Sequence, residues 1–383
     1  GYDDSRTVYE DDVRNIRSKE NSDRVSASLV FDYHGEFGDI LSIDAGAQGF
    51  WRNLHSNINN RSETFNDYTN YRYNIFVDFS LDWKKFGIRL GLKGEGNTDI
   101  YRKDTYGSRT ILSFQPTVGL IWKFDSKNSI QASYLKRNGY PSAWMMAPYD
   151  IVYDDKTVLV GNSELRPSRM HTVSVRYSYQ GETVQLSTGP DYHHTDDLVT
   201  AYQTLDSDLG TLRTYINGTT ADRLAYVLGG TVSIGDWMDI DPSVIIFYDW
   251  NNVFGNRRQG FYYTLELSLN IFLPYNITLY TGASYQSKSI SMTGYNLASY
   301  GISTVNLRKN FPSTGMSLTL SYWQPLTSPS RSIQYFDGFE VADYLYRTNS
   351  SAFMVRFEWY ISGKKQLKRS NVRTYFDTDA RSR

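Results

Sequence analysis

Residues 72–95 read RYNIFVDFSLDWKKFGIRLGLKGE, and apolar residues alternate with mostly polar ones on both sides of a Lys-Lys pair. Before the pair, the apolar face consists of Tyr73, Ile75, Val77, Phe79, Leu81 and Trp83. After the pair, it continues with Phe86, Ile88, Leu90 and Leu92. A period of two is typical of β-strands, because successive side chains point to opposite faces. The stretch therefore predicts two antiparallel strands joined by a tight turn.

The same alternation recurs along the chain, and no amphipathic helix of useful length interrupts it. It predicts 15 strands, at 24–34, 40–51, 71–83, 86–99, 110–124, 129–138, 167–180, 182–194, 222–234, 238–250, 260–272, 276–288, 298–308, 314–324 and 350–362. The predicted fold class is therefore all-β.

Charged residues stand in the middle of the polar faces, namely Arg89, Lys93, Glu95, Arg176, Glu266, Arg356 and Glu358. A soluble β-sandwich is the alternative, but its strands are usually about five or six residues long. A transmembrane β-strand needs about 9–11 residues, with an apolar outer face and a polar inner face. We therefore predict an antiparallel transmembrane outer-membrane β-barrel in which these seven side chains line the lumen.

The connections between the predicted strands alternate between short and long, as in outer-membrane barrels with short periplasmic turns and longer extracellular loops. Aromatic residues make up 15% of the chain, including 32 Tyr and 8 Trp. Tyr and Trp favour the water–lipid interface. Trp83, Trp122 and Trp237 stand near the predicted short turns and Trp359 near the end of the last strand, which indicates an interfacial girdle.

Composition excludes several classes of function. The 383-residue chain has 40 basic and 41 acidic residues, so it offers no overall positive field for nucleic acid. It has no Cys, which excludes disulfides, thiolate metal sites and cysteine nucleophiles. No apolar run approaches the roughly 18 residues that indicate a transmembrane helix.

Three regions follow from this pattern. Residues 1–23 are predicted to be a polar extracellular loop segment, residues 24–362 the barrel strands, and residues 363–383 a basic periplasmic tail. An odd strand count places the two ends on opposite sides of the membrane, whereas single-chain bacterial barrels have even counts. We therefore expect the chain to be the C-terminal portion of a larger barrel. A self-contained barrel with an even number of strands remains the alternative.

Three short segments carry a family resemblance: SYLKR at 133–137 followed by YPSAW at 140–144, GNSELRP at 161–167, and WYISGKK at 359–365. Together they resemble the barrel region of TonB-dependent receptors, notably the outer-membrane barrel family common in Bacteroidetes. The resemblance implies a barrel of about 22 strands with a plugged lumen. It also implies that this chain holds roughly the last 15 strands, with the plug and a TonB-contacting segment upstream.

The GNSELRP segment is predicted to shape the return from a long loop into a strand. Gly161 and Asn162 tolerate left-handed backbone conformations. Pro167 fixes its own backbone and favours an extended residue before it. We therefore expect Gly161, Asn162, Leu165 and Pro167 to have a structural role rather than to contact a ligand.

The loop before this segment is the best candidate for recognition. It carries large and adaptable apolar side chains, namely Trp144, Met145, Met146, Tyr149 and Tyr153. Such a surface suits a sugar, a peptide or a capping protein. The alternative is that these side chains pack against neighbouring loops.

Metal and catalytic sites are not predicted. His193 and His194, with Asp191, Asp196 and Asp197 nearby, form the one group of metal-ligand residue types. Adjacent residues on a strand point to opposite faces, so the two histidines would not share an ion. No nucleophile elbow or phosphate-binding loop appears. We therefore predict no cofactor and no enzymatic activity, with a hydrolase as a minor alternative.

These observations predict the barrel portion of a TonB-dependent receptor-type transporter for a bulky nutrient, in the bacterial outer membrane. The alternative is a non-transporting barrel that acts as a scaffold subunit of an envelope protein complex. The expected partners are outer-membrane lipid and the upstream strands and plug, on the same or another chain. A surface lipoprotein or other envelope proteins are further candidates, and no nucleic acid is expected.

Overall fold

The computed structural model describes residues 2–11, 16–59, 63–101, 108–142, 145–146, 150–152, 157–206, 210–292, 294–336, 339–346 and 351–360. Nearly all of these residues lie in β-strands, and the one helical element among them is a 3-10 turn at Pro274–Asn276. Within this part of the chain, no helix has the length and apolar character that crossing a membrane requires.

The strands, in chain order, are β1 Tyr2–Asp11, β2 Ile16–Phe37, β3 Leu41–Asn59, β4 Glu63–Trp83, β5 Phe86–Tyr101, β6 Ser108–Lys123, β7 Asn128–Gly139, β8 Asp150–Val152, β9 Thr157–Val160, β10 Ser168–Gln180, β11 Val184–Asp206, β12 Gly210–Ile234, β13 Met238–Val253, β14 Asn256–Leu273, β15 Ile277–Gln286, β16 Ser289–Ile290, β17 Gly294–Asn296, β18 Ser299–Phe311, β19 Met316–Thr327, β20 Ser330–Phe336, β21 Phe339–Tyr346 and β22 Ala352–Trp359.

Fifteen of these strands form one antiparallel meander, which confirms the predicted all-β fold and its strand count. The order is β2-β3-β4-β5-β6-β7-β10-β11-β12-β13-β14-β15-β18-β19-β22. Each strand pairs with the next in this order, and β1 pairs with the free side of β2. Among the described residues, β22 pairs with β19 alone, so the first and last strands are not joined to each other.

The two faces of the sheet differ as the alternation predicts. Strands β4 and β5 pair from Trp83 opposite Phe86 to Tyr68 opposite Tyr101. One face of the sheet carries exposed apolar side chains from nearly every strand, for example Leu29, Ile75, Leu90, Leu120, Leu228, Leu267 and Val355. The other face carries the polar side chains described below. This division is typical of a barrel with lipid outside and a polar interior.

Short turns join the strands at the end that carries Trp83, Trp122, Trp237 and Trp359. At Lys84 the backbone is left-handed, with φ of 52°, which suits the tight turn between β4 and β5. In the turn after β6, the Asp125 carboxylate accepts hydrogen bonds from the backbone N–H groups of Lys127 and Asn128, at 2.7 and 2.8 Å. These hydrogen bonds, led by that from Lys127, lower the pKa of Asp125.

At the opposite end, the strands are longer than predicted. The predicted strands 182–194 and 222–234 extend to Val184–Asp206 and Gly210–Ile234, and they pair up to Asp206 opposite Gly210. Much of the predicted loop 195–221 is therefore a hairpin that continues the sheet. The first 23 residues also differ from the strand-poor segment expected, because β1 and the beginning of β2 lie there.

Other predicted loops contain short strands of their own. Strand β8 pairs with β9, and β9 adds to β12 in parallel. Strands β16, β17, β20 and β21 form a separate four-stranded sheet. The predicted tail, residues 363–383, lies outside the described residues.

Candidate functional site

The polar face of β3 to β6 borders a cavity of about 610 Å³. Lys93 and Glu95, both predicted to line the lumen, lie here as an ion pair with 2.5 Å between Nζ and Oε2. The Gln115 amide donates to the same Glu95 oxygen at 3.3 Å, and the Glu95 side chain is 7% exposed. Lys93, Glu95 and Gln115 therefore form a connected polar group in a cavity wall that also contains Phe76 and Tyr140.

Beyond this cavity, toward the long-loop end, the same face holds a buried hydrogen-bond network whose residues are not among the predicted lumen residues. The Asp99 carboxylate accepts from the Tyr68 hydroxyl at 2.6 Å and from the amides of Asn70 and Asn97, both at 2.7 Å. All four residues are at most 5% exposed. Their spacing of two along β4 and β5 is the signal that could have identified them.

Two ion pairs lie farther along the sheet, each with a carboxylate that is less exposed than its arginine. Arg176, predicted to line the lumen, pairs with Asp191 at 2.5 Å and donates to the Gly189 carbonyl at 2.8 Å. Arg223 and Asp249 form a bidentate pair, with Nε 2.8 Å from Oδ1 and Nη2 2.9 Å from Oδ2. The sequence did not predict this pair. Two fixed N–H···O contacts hold both groups of such a pair in one orientation.

The last strands form a third polar group, around a cavity of about 470 Å³. Arg356 and Glu358 line it, and Glu358 is 3.5 Å from the Arg308 guanidinium and accepts from the Ser317 hydroxyl at 3.2 Å. The remaining two predicted residues, Arg89 and Glu266, are exposed on the face opposite the apolar side chains. The seven residues thus share one face but belong to separate groups.

The GNSELRP segment packs against neighbouring residues at the end of the barrel that carries the long loops. The Asn162 side chain donates to the Tyr215 carbonyl at 2.9 Å, and its oxygen accepts from the Glu164 backbone N–H at 2.9 Å. Leu165 is 1% exposed, and Pro167 is also buried. These contacts give the segment a structural role. Neither Gly161 nor Asn162 has a positive φ, so the segment does not use the left-handed conformation that both residues tolerate.

Leu165 belongs to a small apolar cluster with Tyr68, Met146, Leu159 and Tyr215. We predict that Leu165→Ala lowers the free energy of unfolding by about 2–5 kcal/mol, because truncating a buried leucine leaves a cavity. Denaturant unfolding of the purified protein in micelles measures this. The control is Leu326→Ala on the exposed face, where 50% of the residue is accessible. Equal destabilisation by the two variants would contradict the packing described here.

The same cluster contains residues of the loop that was predicted to be a recognition surface. Met146 is 4% exposed and packs in the cluster, with Met145 partly buried against it. These two residues therefore follow the packing alternative rather than forming an open surface. Trp144, Tyr149 and Tyr153 lie outside the described residues, and their role in recognition remains a prediction.

The two adjacent histidines have separate partners. His193 contacts the Thr172 hydroxyl at 3.1 Å, whereas His194 contacts the Asp222 carboxylate at 2.7 Å. Among the described residues, no cluster of three His, Cys, Asp or Glu side chains could hold a metal ion.

The fold is similar to that of solved outer-membrane transport proteins. The structure titled copper transporter OprC has a TM-score of 0.67 at 10% identity, covering 85% of this chain and 55% of that one. The pyoverdine outer membrane receptor FpvA from Pseudomonas aeruginosa has a TM-score of 0.57 at 12% identity, covering 90% of this chain and 53% of that one. The FrpB iron transporter from Neisseria meningitidis has a TM-score of 0.54 at 12% identity, covering 81% of this chain and 56% of that one.

At these identities the likeness shows the fold alone, and the chain spans about half the length of each of these proteins. No curated protein matches the sequence significantly. The profile of the outer membrane protein beta-barrel family matches residues 2–359. The description of this family places the chain in the bacterial outer membrane. The chain belongs to the outer membrane protein beta-barrel family.

Proposed function

We propose that this chain forms part of the wall of an outer-membrane transporter that admits a bulky nutrient. The observation that carries the proposal is the continuous polar face, with ion pairs and amide groups around two cavities of about 610 and 470 Å³. The likeness to copper and iron transporters supports the same class of function.

The proposal includes a plug that closes the lumen and a coupling segment that contacts TonB, as the family resemblance implies. Side chains such as Lys93, Arg176 and Arg356 would contact either the plug or the passing nutrient. Further strands, on this polypeptide or another, would cover β1 and β22. An uncovered sheet edge in lipid leaves backbone groups without partners, at several kcal/mol each.

An uptake experiment tests this function. Cells that lack the protein and cells that express it grow in a complex medium, and mass spectrometry follows the depletion of its components. We expect at least one bulky component to remain in the medium of the deletion strain. Its uptake by the complete strain should stop when a protonophore removes the energy for TonB-coupled transport.

The scaffold alternative predicts a different result. In that case deletion leaves every uptake rate unchanged, and the protein purifies in a stable complex with other envelope proteins. That combination would contradict the transport proposal.

A further inference from the structure

The segment between β7 and β10 contacts strands that are far apart in the sheet. We name its described residues the loop bridge: 140–142, 145–146, 150–152 and 157–167. Its buried side chains share one apolar cluster with Tyr68 of β4 and Tyr215 of β12. Five strands lie between β4 and β12 in the sheet, so the path along the wall is about 29 Å at about 4.8 Å per strand spacing. The loop bridge therefore connects two separate parts of the barrel wall.

On one side, the loop bridge attaches to the polar face of β3, β4 and β6. Tyr68 belongs to the Asp99 network on that face, and Leu54, its partner in β3, packs against the apolar cluster. Arg109 of β6 is opposite Asp99 in the register, and its guanidinium donates to the Leu165 carbonyl at 2.7 Å. The loop bridge therefore lies on the lumen side of the wall and not among the lipid-facing side chains.

On the other side, the loop bridge attaches to β12 through its backbone. Strand β9 adds to β12 in parallel, with Val158 opposite Leu212. The Asn217 side chain donates to the Arg166 carbonyl at 2.9 Å, and its oxygen accepts from the Arg166 backbone N–H at 2.7 Å. Strand pairing and side-chain hydrogen bonds thus hold this side of the bridge, in addition to the packing of Tyr215.

Most of the buried apolar residues that the structure describes belong to the loop bridge or to its cluster. They are six of nine: Tyr68, Met146, Val158, Leu159, Leu165 and Tyr215. The strands of the wall contribute few others, because their apolar side chains face lipid. Segments that open easily have few buried apolar contacts. The described part of the bridge is therefore a fixed part of the fold and not a mobile lid.

The 610 Å³ cavity lies beneath the loop bridge, toward the short-turn end. Tyr140, the first bridge residue, lines this cavity, and its ring centre is 5.2 Å from the Arg72 guanidinium. The Tyr140 hydroxyl is also 3.5 Å from that of Ser113. Thr117 lines the cavity too, eight positions along β6 from Arg109, where the bridge is attached. The long-loop end is the extracellular end of such a barrel, so a solute from outside must pass the bridge to reach this cavity.

We propose that the loop bridge is a fixed constriction of the extracellular mouth, which limits the size of the solutes that reach the 610 Å³ cavity. Because packing and hydrogen bonds hold it on both sides, the bridge does not move aside for a solute. Only a solute smaller than the opening beside it passes. This inference goes beyond the transport proposal, since it concerns access to the lumen from outside and not passage across the membrane.

Thiol labelling in intact cells that make the complete protein tests this constriction. The chain has no Cys, and Thr117→Cys places one thiol at an exposed position of the cavity wall. The probes are a small charged maleimide and the same maleimide on a long polyethylene glycol chain. Mass spectrometry of the peptide that contains residue 117 gives each labelling rate. We expect the long reagent to react at least about tenfold more slowly than the small one, since a shielded thiol reacts only in the open fraction of molecules.

A release variant, Leu159→Ala with Tyr215→Ala, removes two buried side chains that hold the bridge against β12. We expect the long reagent to label Thr117→Cys about tenfold faster or more in this variant. A tenfold larger open fraction requires only about 1.4 kcal/mol, and truncation of two buried side chains removes more than that. The matched control, Leu228→Ala with Tyr226→Ala, makes the same truncations on the exposed apolar face of β12 and should keep the parent rate.

A disulfide tests whether movement of the bridge itself causes the change. Val158 and Leu212 are partners in the pairing of β9 with β12, and strands that pair lie within the Cα distance that a disulfide requires. Val158→Cys with Leu212→Cys, added to the release variant, should restore the slow parent rate when oxidised. Reduction should return the fast rate. Asn217→Ala, which removes the hydrogen bonds to Arg166 and leaves the apolar cluster intact, should raise the rate in the same direction.

Four results would overturn the proposal: equal rates of the two reagents in the parent, equal rates of the long reagent in the parent and release variants, a rise of the same size in the Leu228 and Tyr226 control, or no restoration by the disulfide. Thermal unfolding of each variant verifies that faster labelling is not loss of fold. The labelling rates report access and not uptake, so failure of the transport proposal would leave them unchanged.

Discussion

Replacing Asp99 with alanine should lower the free energy of unfolding by about 3 kcal/mol or more. The carboxylate accepts hydrogen bonds from Tyr68, Asn70 and Asn97, and the residue is 5% exposed. Each buried donor left without a partner costs about 1–3 kcal/mol. Some of this cost is offset where water enters the space that the carboxylate leaves. Denaturant unfolding of the purified protein in micelles gives the value.

The control for this experiment is Asp236→Ala. Asp236 is exposed in the turn between β12 and β13, and surface substitutions of this kind change stability by less than about 0.5 kcal/mol. An Asp99→Ala variant as stable as the Asp236→Ala variant would show that the buried network contributes nothing to the fold.

A positive charge on the apolar face should have an effect of similar size for a different reason. Leu267 is 43% exposed on β14, and it lies about midway along the part of this strand between Tyr263 and Phe272. Leu267→Arg should destabilise the folded barrel in phospholipid vesicles by about 2–4 kcal/mol, because a charge near the bilayer midplane loses its hydration. Urea-dependent folding into the vesicles measures the difference.

The adjacent residue provides the matched control. Glu266 lies on the opposite face of the same strand and is exposed there. Glu266→Arg introduces the same side chain on the polar face, and we expect a change below about 1 kcal/mol, since an exposed charge there remains hydrated. If Glu266→Arg were as destabilising as Leu267→Arg, the assignment of the two faces would be wrong.

Sequence alone predicted all 15 strands of the meander, and the seven charged residues that were assigned to the lumen share the polar face in the structure. The reason is that period-two alternation is a local property that the bilayer imposes on every crossing strand. Lys93, Glu95 and Arg176 therefore fell on the polar face as expected. Their partners across the sheet depend on register, so pairs such as Arg223 with Asp249 were not predicted.

The long-loop end was predicted less well. Beyond the part of the barrel that contacts lipid, both faces of a hairpin contact water or other loops. Polar residues therefore occupy both faces, and the period-two alternation is lost. For that reason the extension of β11 and β12 to Asp206 and Gly210 was not predicted. The burial of Met146 and the loop bridge depend on contacts between distant segments, which a single sequence does not display.

The most direct test of the account concerns which face meets lipid. The chain has no Cys, so a single cysteine can carry a fluorophore at one chosen position. We would label Leu265→Cys, Glu266→Cys and Leu267→Cys in turn, and reconstitute each protein into vesicles whose lipids carry brominated acyl chains. We predict strong quenching at positions 265 and 267 and little at 266. Equal quenching at all three positions, or quenching at 266 alone, would contradict an outer-membrane barrel with an apolar outer face and a polar lumen.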